Sequence, residues 1–223
     1  MPRHIGIVGL RHSGKTTLAK EFLKQDPRYV RRALADPLKN DAVEMCNTFL
    51  AIHGRPLITR SDLEKDKGQF RLFLQWLGTE FAREYVGPDD FWIKLFEHEV
   101  QNEKRLVVCD DVRFPNEAER LRRLGFLIVK ISRDEEGRQE SLRAAGDTSE
   151  NHASETNIPL IDADVYLNKI PHERIPEVVS FIFELDKPKE YPYPVSIWHD
   201  APTGLILQAL KADRSEISNG LRQ

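Results

Sequence analysis

Cysteine is scarce. Cys46 and Cys109 are the only two among 223 residues, too few for a disulfide framework and in keeping with a reducing compartment. Long apolar runs are missing too: the longest, residues 5–10 and 106–109, fall far short of a bilayer span, so no membrane partner is expected. Neither sign of charge prevails, with 33 Lys+Arg against 36 Asp+Glu and a formal net charge of −3. That balance argues against a chain whose main partner is nucleic acid, although it leaves room for a local basic cleft. No internal repeat, low-complexity tract or charged-then-apolar leader is visible, and the expectation is a soluble protein of the cytoplasm. The 40% apolar content still suffices for a buried core at this size, and the length suits one domain with elaborations.

Along the chain, His4-Ile5-Gly6-Ile7-Val8 is a short, β-branched, continuous apolar run, as a strand buried on both faces requires. Helical character follows over residues 15–24. A second strand is expected at 29–35, closed by Asp36-Pro37, then a helix at 38–53 and a charged loop at 54–68. Two further helices are expected at 69–86 and 89–103, separated by Gly87-Pro88. Strands at 105–110 and 126–132 flank a helix at 116–124. Strands alternating with helices of this length predict an α/β fold with a mainly parallel sheet of about five strands. Residues 133–157 form a polar, arginine-bearing excursion, suited to a mobile functional segment. A short strand at 164–167 and a helix at 176–185 follow. Residues 187–203 hold four prolines and suggest an extended connection, and 204–212 suggest a short terminal helix.

The most specific signal is Gly9-Leu10-Arg11-His12-Ser13-Gly14-Lys15-Thr16, a complete G-x-x-x-x-G-K-[ST] pattern between a strand and a helix. Gly9 and Gly14 allow backbone geometry and close approach that a side chain would block. Successive N–H groups and the helix N-terminus then form a concave anion site, to which Ser13 and Thr17 also belong. Lys15 supplies a point charge to the terminal phosphates of a nucleotide, and the Thr16 hydroxyl suits Mg²⁺.

Leu106-Val107-Val108-Cys109-Asp110 is an apolar strand ending in a carboxylate, and Asp110 is the candidate for the same Mg²⁺, with Asp111 its immediate rival. Arg113 and Arg133 lie just beyond successive strand ends, where ligands bind in open α/β sheets. Rigid guanidinium forks there suit a moving phosphoryl group. On the helix expected at 69–86, Arg71, Gln75, Thr79 and Arg83 recur every fourth residue as one polar stripe beside an apolar one. A stripe of cations, amide and hydroxyl without a carboxylate suits an anionic ligand with an amide-reading base. Cys109, on an apolar strand, reads as inert core, and Trp76 reads as packing.

These stretches, taken with Ala35-Asp36-Pro37-Leu38-Lys39, Leu74-Gln75-Trp76-Leu77-Gly78-Thr79-Glu80, Phe91-Trp92, Asp111-Val112-Arg113-Phe114-Pro115-Asn116-Glu117 and His152-Ala153-Ser154-Glu155, resemble the bacteriophage-type deoxynucleoside monophosphate kinases. The matches run in family order from about residue 5 to 170. The resemblance implies a P-loop NTPase three-layer sandwich spanning 1–186, with acceptor-binding helices at about 37–103 and a mobile lid at about 133–157. It implies ATP as phosphoryl donor, Mg²⁺, a deoxynucleoside monophosphate as the small-molecule acceptor, and the host cytoplasm if phage-encoded. Lys15, Arg113 and Arg133 would be catalytic. Arg138 and Arg143 would close with the lid. Acceptor contacts would fall on Asp36, Lys39, Gln75 and Arg83, with Trp92 stacking on the base, and the polar stripe adds Arg71 as a further acceptor contact. Residues 187–223 match nothing in the family; a packing arm on the same domain or on a partner subunit leaves a homodimer open. Two other readings remain: a P-loop kinase for another small phosphorylated acceptor, and a nucleotide-dependent switch or assembly ATPase.

Overall fold

In the computed structural model the described residues are 3–86, 90–144, 156–185, 195–200 and 204–209. The apolar run at the start becomes strand β1 (His4–Val8), buried from Ile5 onward. It pairs in parallel with β3 (Leu106–Val112) on one side and β4 (Phe126–Ser132) on the other. Beyond β3 lies β2 (Tyr29–Arg31), and beyond β4 lie β5 (Val165–Asn168), β6 (Val195–Asp200) and β7 (Gly204–Ala209). The order is β2-β3-β1-β4-β5-β6-β7, parallel throughout except for the antiparallel β6–β7 pair. The chain leaves β1 for one side of the sheet and returns through β4 on the other. The carboxyl end of β1 is therefore the switch point, where an open α/β sheet forms its crevice.

Helices cover both faces. Helix α1 (Lys15–Gln25) buries Leu18, Ala19 and Phe22 against Ile5, Ile7 and Val129, beside a C-terminal helix, Ile175–Leu185, that contributes Val178, Val179 and Ile182. Phe22, Tyr29 and Phe183 pack as an aromatic trio with centroids 5.5–6.0 Å apart. On the opposite face, Leu121 of the helix Pro115–Arg123 approaches Gly6 of β1 together with Ile128 of β4. The result is a three-layer α/β sandwich of the P-loop kind.

The expected mainly parallel sheet of about five strands is present with six parallel strands, and the hairpin of residues 195–200 and 204–209 adds an antiparallel seventh. One element is corrected. The terminal helix expected at 204–212 is instead strand β7 over Gly204–Ala209. Gly204-Leu-Ile-Leu-Gln-Ala has no period that separates helix from strand, and the register Val195↔Ala209 to Asp200↔Gly204 decides it.

Residues Ala33–Asn102 make a second compact unit, apart from the one formed by Met1–Arg32 and Glu103–Gln223. Its helices are α2 (Asp36–Ile52), α3 (Arg60–Lys65), α4 (Lys67–Trp76) and α5 (Phe91–Asn102), with a π-helical stretch, Leu77–Val86, between the last two. The later helices of the sheet unit are numbered α6 (Pro115–Arg123), α7 (Glu135–Ala144) and α8 (Ile175–Leu185). Ala42, Leu63 and Leu77 form the small buried centre of this helical unit, flanked by Leu38, Phe70 and Phe73. The loop expected at 54–68 contains α3. Thr59 and Asp62 cap it reciprocally, the Asp62 N–H donating to the Thr59 hydroxyl while Asp62 accepts from the Thr59 N–H. The single helix expected at 69–86 is also corrected. It widens into π geometry at Leu77, so the every-fourth-residue stripe does not continue straight through Thr79 and Arg83. Among the described residues, no helix is long and apolar enough to cross a membrane.

Candidate functional site

The segment after β1 turns back on itself before α1, with the Ser13 N–H donating to the Leu10 carbonyl at 3.2 Å. A Cβ on Gly9 would lie 2.5 Å from the Ser13 hydroxyl and 2.6 Å from the Ile131 carbonyl oxygen, so only glycine fits there. Gly14 sits at φ 99°, the left-handed region, as the cap of α1. No side chain caps α1, and its first turn holds no acidic residue. Its N–H groups are thus directed to an external acceptor, and the helix dipole favours an anion there. The Ser13 hydroxyl is buried with no hydrogen-bond partner, an orphan donor facing the same loop. A buried hydroxyl without a partner is costly, and an incoming phosphate oxygen would satisfy it.

Lys15 folds over this cradle. Its Nζ donates to the carbonyls of Gly9 and Leu10, both at 2.6 Å. The Thr16 hydroxyl donates to Asp110 Oδ2 at 3.3 Å, joining the start of α1 to β3. Asp110 is buried at 4% exposure, and Arg31 at the end of β2 donates from Nε to its other oxygen, Oδ1, at 2.8 Å. Asp111 is half-buried and accepts from the Cys109 thiol at 3.3 Å. Thus Asp110, rather than Asp111, stands beside Thr16. Among the described residues no three His, Cys, Asp or Glu side chains gather into an all-protein metal cage. One hydroxyl with one carboxylate fits Mg²⁺, which keeps much of its water and takes phosphate oxygens as well.

Arg113 follows β3, and its N–H, with that of Phe114, donates to the Glu117 carboxylate at 2.8 and 3.1 Å. That buried carboxylate fixes the turn into α6. Arg133, just past β4, is exposed and donates to the Ser141 hydroxyl at 3.0 Å. Arg138 on α7 pairs with Glu135 at 2.6 Å, and Arg143 is exposed on the same helix. The lid expected at 133–157 is helical over α7, and residues 145–155, including His152, Ser154 and Glu155, lie outside the described residues. Thr17 is half-buried in the first turn of α1.

A cavity of about 120 Å³ opens beside the cradle, walled by Leu10, Ile131, Ile158, Pro159 and Tyr166. Ser13, Lys130, Arg133 and Arg138 bring polar groups to its edge. Lys130 was not expected from the sequence. It interrupts the apolar β4, is 7% exposed, and donates to the carbonyls of Pro159 and Ile161 at 3.3 and 2.9 Å. Burial pushes its ammonium pKa down to about 8, with Asp162 opposing the fall. The unfolded lysine keeps its proton to about 10.5, so between about 8 and 10.5 the unfolded chain binds more protons and stability rises with pH. The burial penalty, on the order of 3 kcal/mol, is fully present below that window. Urea unfolding of the wild type and Lys130→Met at stepped pH should therefore show the wild type gaining on the variant between pH 8 and 10. Parallel curves across that window would refute the assignment.

In the helical unit, Asp36 begins α2 instead of closing a strand, because Pro37 lacks an N–H and suits the first helical turn. Strand β2 accordingly stops at Arg31, short of the expected residue 35. Asp36 accepts from the Ala33 N–H at 2.7 Å and pairs with Arg60, which also donates to the Asn40 side chain at 2.8 Å. Lys39 pairs with Glu64 at 3.2 Å, and Glu64 in turn with Arg60 at 3.1 Å. Arg60 is thus the hub joining Asp36 to Glu64, hidden from sequence reasoning inside a stretch read as loop. Gln75 is half-buried on α4. The side chains of Arg71, Thr79 and Arg83 lie outside the described residues. Trp92 is 6% exposed, with Nε1 donating to the Gly78 carbonyl at 2.9 Å and Phe91 edge-on at 4.9 Å. In this packed position the ring is held by Gly78 and Phe91. Trp76 is 45% exposed and stacks on Phe73.

Fold and cradle together define the class: a P-loop α/β protein with a nucleotide-phosphate site at the end of β1. No family model matches the chain. The chain is similar to a protein of Acanthamoeba polyphaga mimivirus named "Putative deoxynucleotide monophosphate kinase", at 27% identity over 194 residues, covering 80% of this chain and 95% of that protein. This is the kind of protein that the sequence motifs resemble. Among solved structures it is similar to a gluconokinase from Sinorhizobium meliloti 1021, at 14% identity, TM-score 0.43, and 83% and 98% of the two chains. It is also similar to TT1252 from Thermus thermophilus, at 16% identity, TM-score 0.45, and 85% and 99%. Similarity in sequence to a kinase, together with an intact cradle, supports a phosphotransferase.

Proposed function

We propose that the chain transfers the γ-phosphoryl group of ATP to the 5′-phosphate of a deoxynucleoside monophosphate, giving the diphosphate. The observation that carries this reading is the complete phosphate cradle, Gly9 to Thr16, hydrogen-bonded through Thr16 to the buried Asp110. The acceptor class comes from the residue motifs and from the similarity to the mimivirus protein. The acceptor phosphate already bears a nucleophilic oxygen, so no strong general base is required, and positioning with charge neutralisation carries the rate.

Each side chain then has a task. The loop N–H groups and the Ser13 hydroxyl bind the donor phosphates, and Lys15 exchanges two carbonyl oxygens for phosphate oxygens. Thr16 and Asp110 would hold Mg²⁺, which when bound neutralises charge on the donor phosphates. Arg113 and Arg133 would meet the transferring group, with Arg138 and Arg143 on the lid. The apolar cavity beside Leu10 suits the donor's nucleoside. Acceptor recognition is assigned to the helical unit, through Asp36, Lys39, Arg71, Gln75 and Arg83.

The test is ADP production from Mg·ATP with dAMP, dGMP, dCMP, dTMP and their ribose forms, each against a control without acceptor. One or more deoxynucleotides should stimulate ADP release strongly. A flat panel from protein that still binds ATP would overturn the acceptor class and favour another small phosphorylated acceptor or a switch.

A further inference from the structure

The carboxylate beside Thr16 does not stand alone. Its side chain is 2% exposed, and a buried carboxylate needs a counter-charge and hydrogen bonds to hold its orientation. Arg31 supplies both. The register Arg31↔Val108 sets the end of β2 beside β3 two residues before Asp110, and the Arg32 N–H donates to the Val108 carbonyl at 3.0 Å. Arg32 is itself held by Glu103 at 2.7 Å, so the strand end that carries Arg31 is tied down. From there the Arg31 Nε reaches Oδ1 at 2.8 Å, while Oδ2 is turned to the Thr16 hydroxyl. The Arg31 side chain is 47% exposed, with its guanidinium anchored at the Nε end.

We propose that Arg31 is a positioning residue for the divalent cation: it claims one oxygen of Asp110 and so presents the other, beside Thr16, to Mg²⁺. This rests on the reading of the cradle as a Mg·ATP site and adds to it a residue outside every motif that marks that site. A guanidinium fixed through Nε is a better rotational lock than an ammonium, which would hold the carboxylate as a point charge only. Without Arg31 the carboxylate loses the donor that fixes Oδ1 and can rotate away from the orientation that faces Thr16. The Asp110 contribution to cation binding then falls, while the loop N–H groups still bind phosphate.

The experiment is calorimetric binding of ATP in EDTA and in Mg²⁺, on the wild type, Arg31→Ala and Arg31→Lys, with thermal unfolding as a folding control. In Arg31→Ala the gain in ATP affinity on adding Mg²⁺ should shrink by about tenfold, the worth of one charged hydrogen bond, with EDTA affinity near the wild-type value. Arg31→Lys should recover part of that gain. An unchanged Mg²⁺ gain in a folded Arg31→Ala overturns the proposal, as does an equal loss of affinity with and without Mg²⁺, which marks a merely structural ion pair. If Arg31→Ala does not fold, Arg31→Lys alone decides, since a full wild-type gain there refutes the rotational lock. A wild type that binds no ATP in either condition overturns the underlying reading and the inference with it.

Discussion

Lys15→Ala is expected to reduce phosphoryl transfer by roughly 10²–10³-fold or more, the scale for removing one preorganised charge from a developing transition state. The fold should survive. Lys15 is half-buried, and its two 2.6 Å hydrogen bonds go to the carbonyls of Gly9 and Leu10, which water can take over in its absence. Half-exposed hydrogen bonds from a charged donor contribute about 1.5 kcal/mol each, so the thermal midpoint should fall by no more than roughly 10 °C. ATP affinity should weaken in Mg²⁺ and in EDTA alike, because the amine meets the phosphates directly. Single-turnover ADP formation under saturating acceptor gives the rate, and near-wild-type turnover from a folded variant would remove the proposed mechanism.

Why the cradle could be read from sequence while its surroundings could not is a matter of range. Gly9, Gly14, Lys15 and Thr16 act through backbone geometry within eight residues, and the apolar run of β1 announces the strand before them. Asp110 is legible as the end of an apolar strand, although only the fold separates it from Asp111. Arg31 is different: it lies 79 positions from its partner, and nothing near it in the chain marks it until β2 and β3 are in register. Lys130 does carry a sequence signal, a lone charge inside an otherwise apolar strand buried from Phe126 to Ile131. Strand β7 and the π-helical stretch failed for tertiary reasons. The first is decided by its hairpin partner, and the second lies where the Gly78 carbonyl accepts from Trp92 and Gly78 packs against the Leu38 side chain. Asp-Pro punctuates a strand end and starts a helix equally well, so the sequence alone leaves Asp36 ambiguous; Arg60 and the Ala33 N–H settle it in favour of the helix.

Asp110→Asn should give the opposite signature to Lys15→Ala. The amide keeps the size of the side chain and an oxygen for the Arg31 Nε or the Thr16 hydroxyl, so the β2–β3–α1 junction remains joined. What is lost is the negative charge that would draw a divalent cation to this end of β3. In EDTA, ATP affinity should hold or improve, because a carboxylate that repels phosphate has gone. With Mg²⁺, turnover should drop by roughly 10²-fold or more, and the Mg²⁺ concentration giving half-maximal rate should rise. Mn²⁺, which accepts similar oxygen ligands, should restore part of the rate at higher concentration. Asp111→Asn is the contrasting variant. Its carboxylate accepts from the Cys109 thiol, whereas the Thr16 hydroxyl donates to Asp110, so its Mg²⁺ dependence should stay near that of the wild type. If Asp111→Asn shifts the Mg²⁺ requirement and Asp110→Asn does not, the cation belongs to Asp111, and the Thr16–Asp110 hydrogen bond is a structural link between α1 and β3.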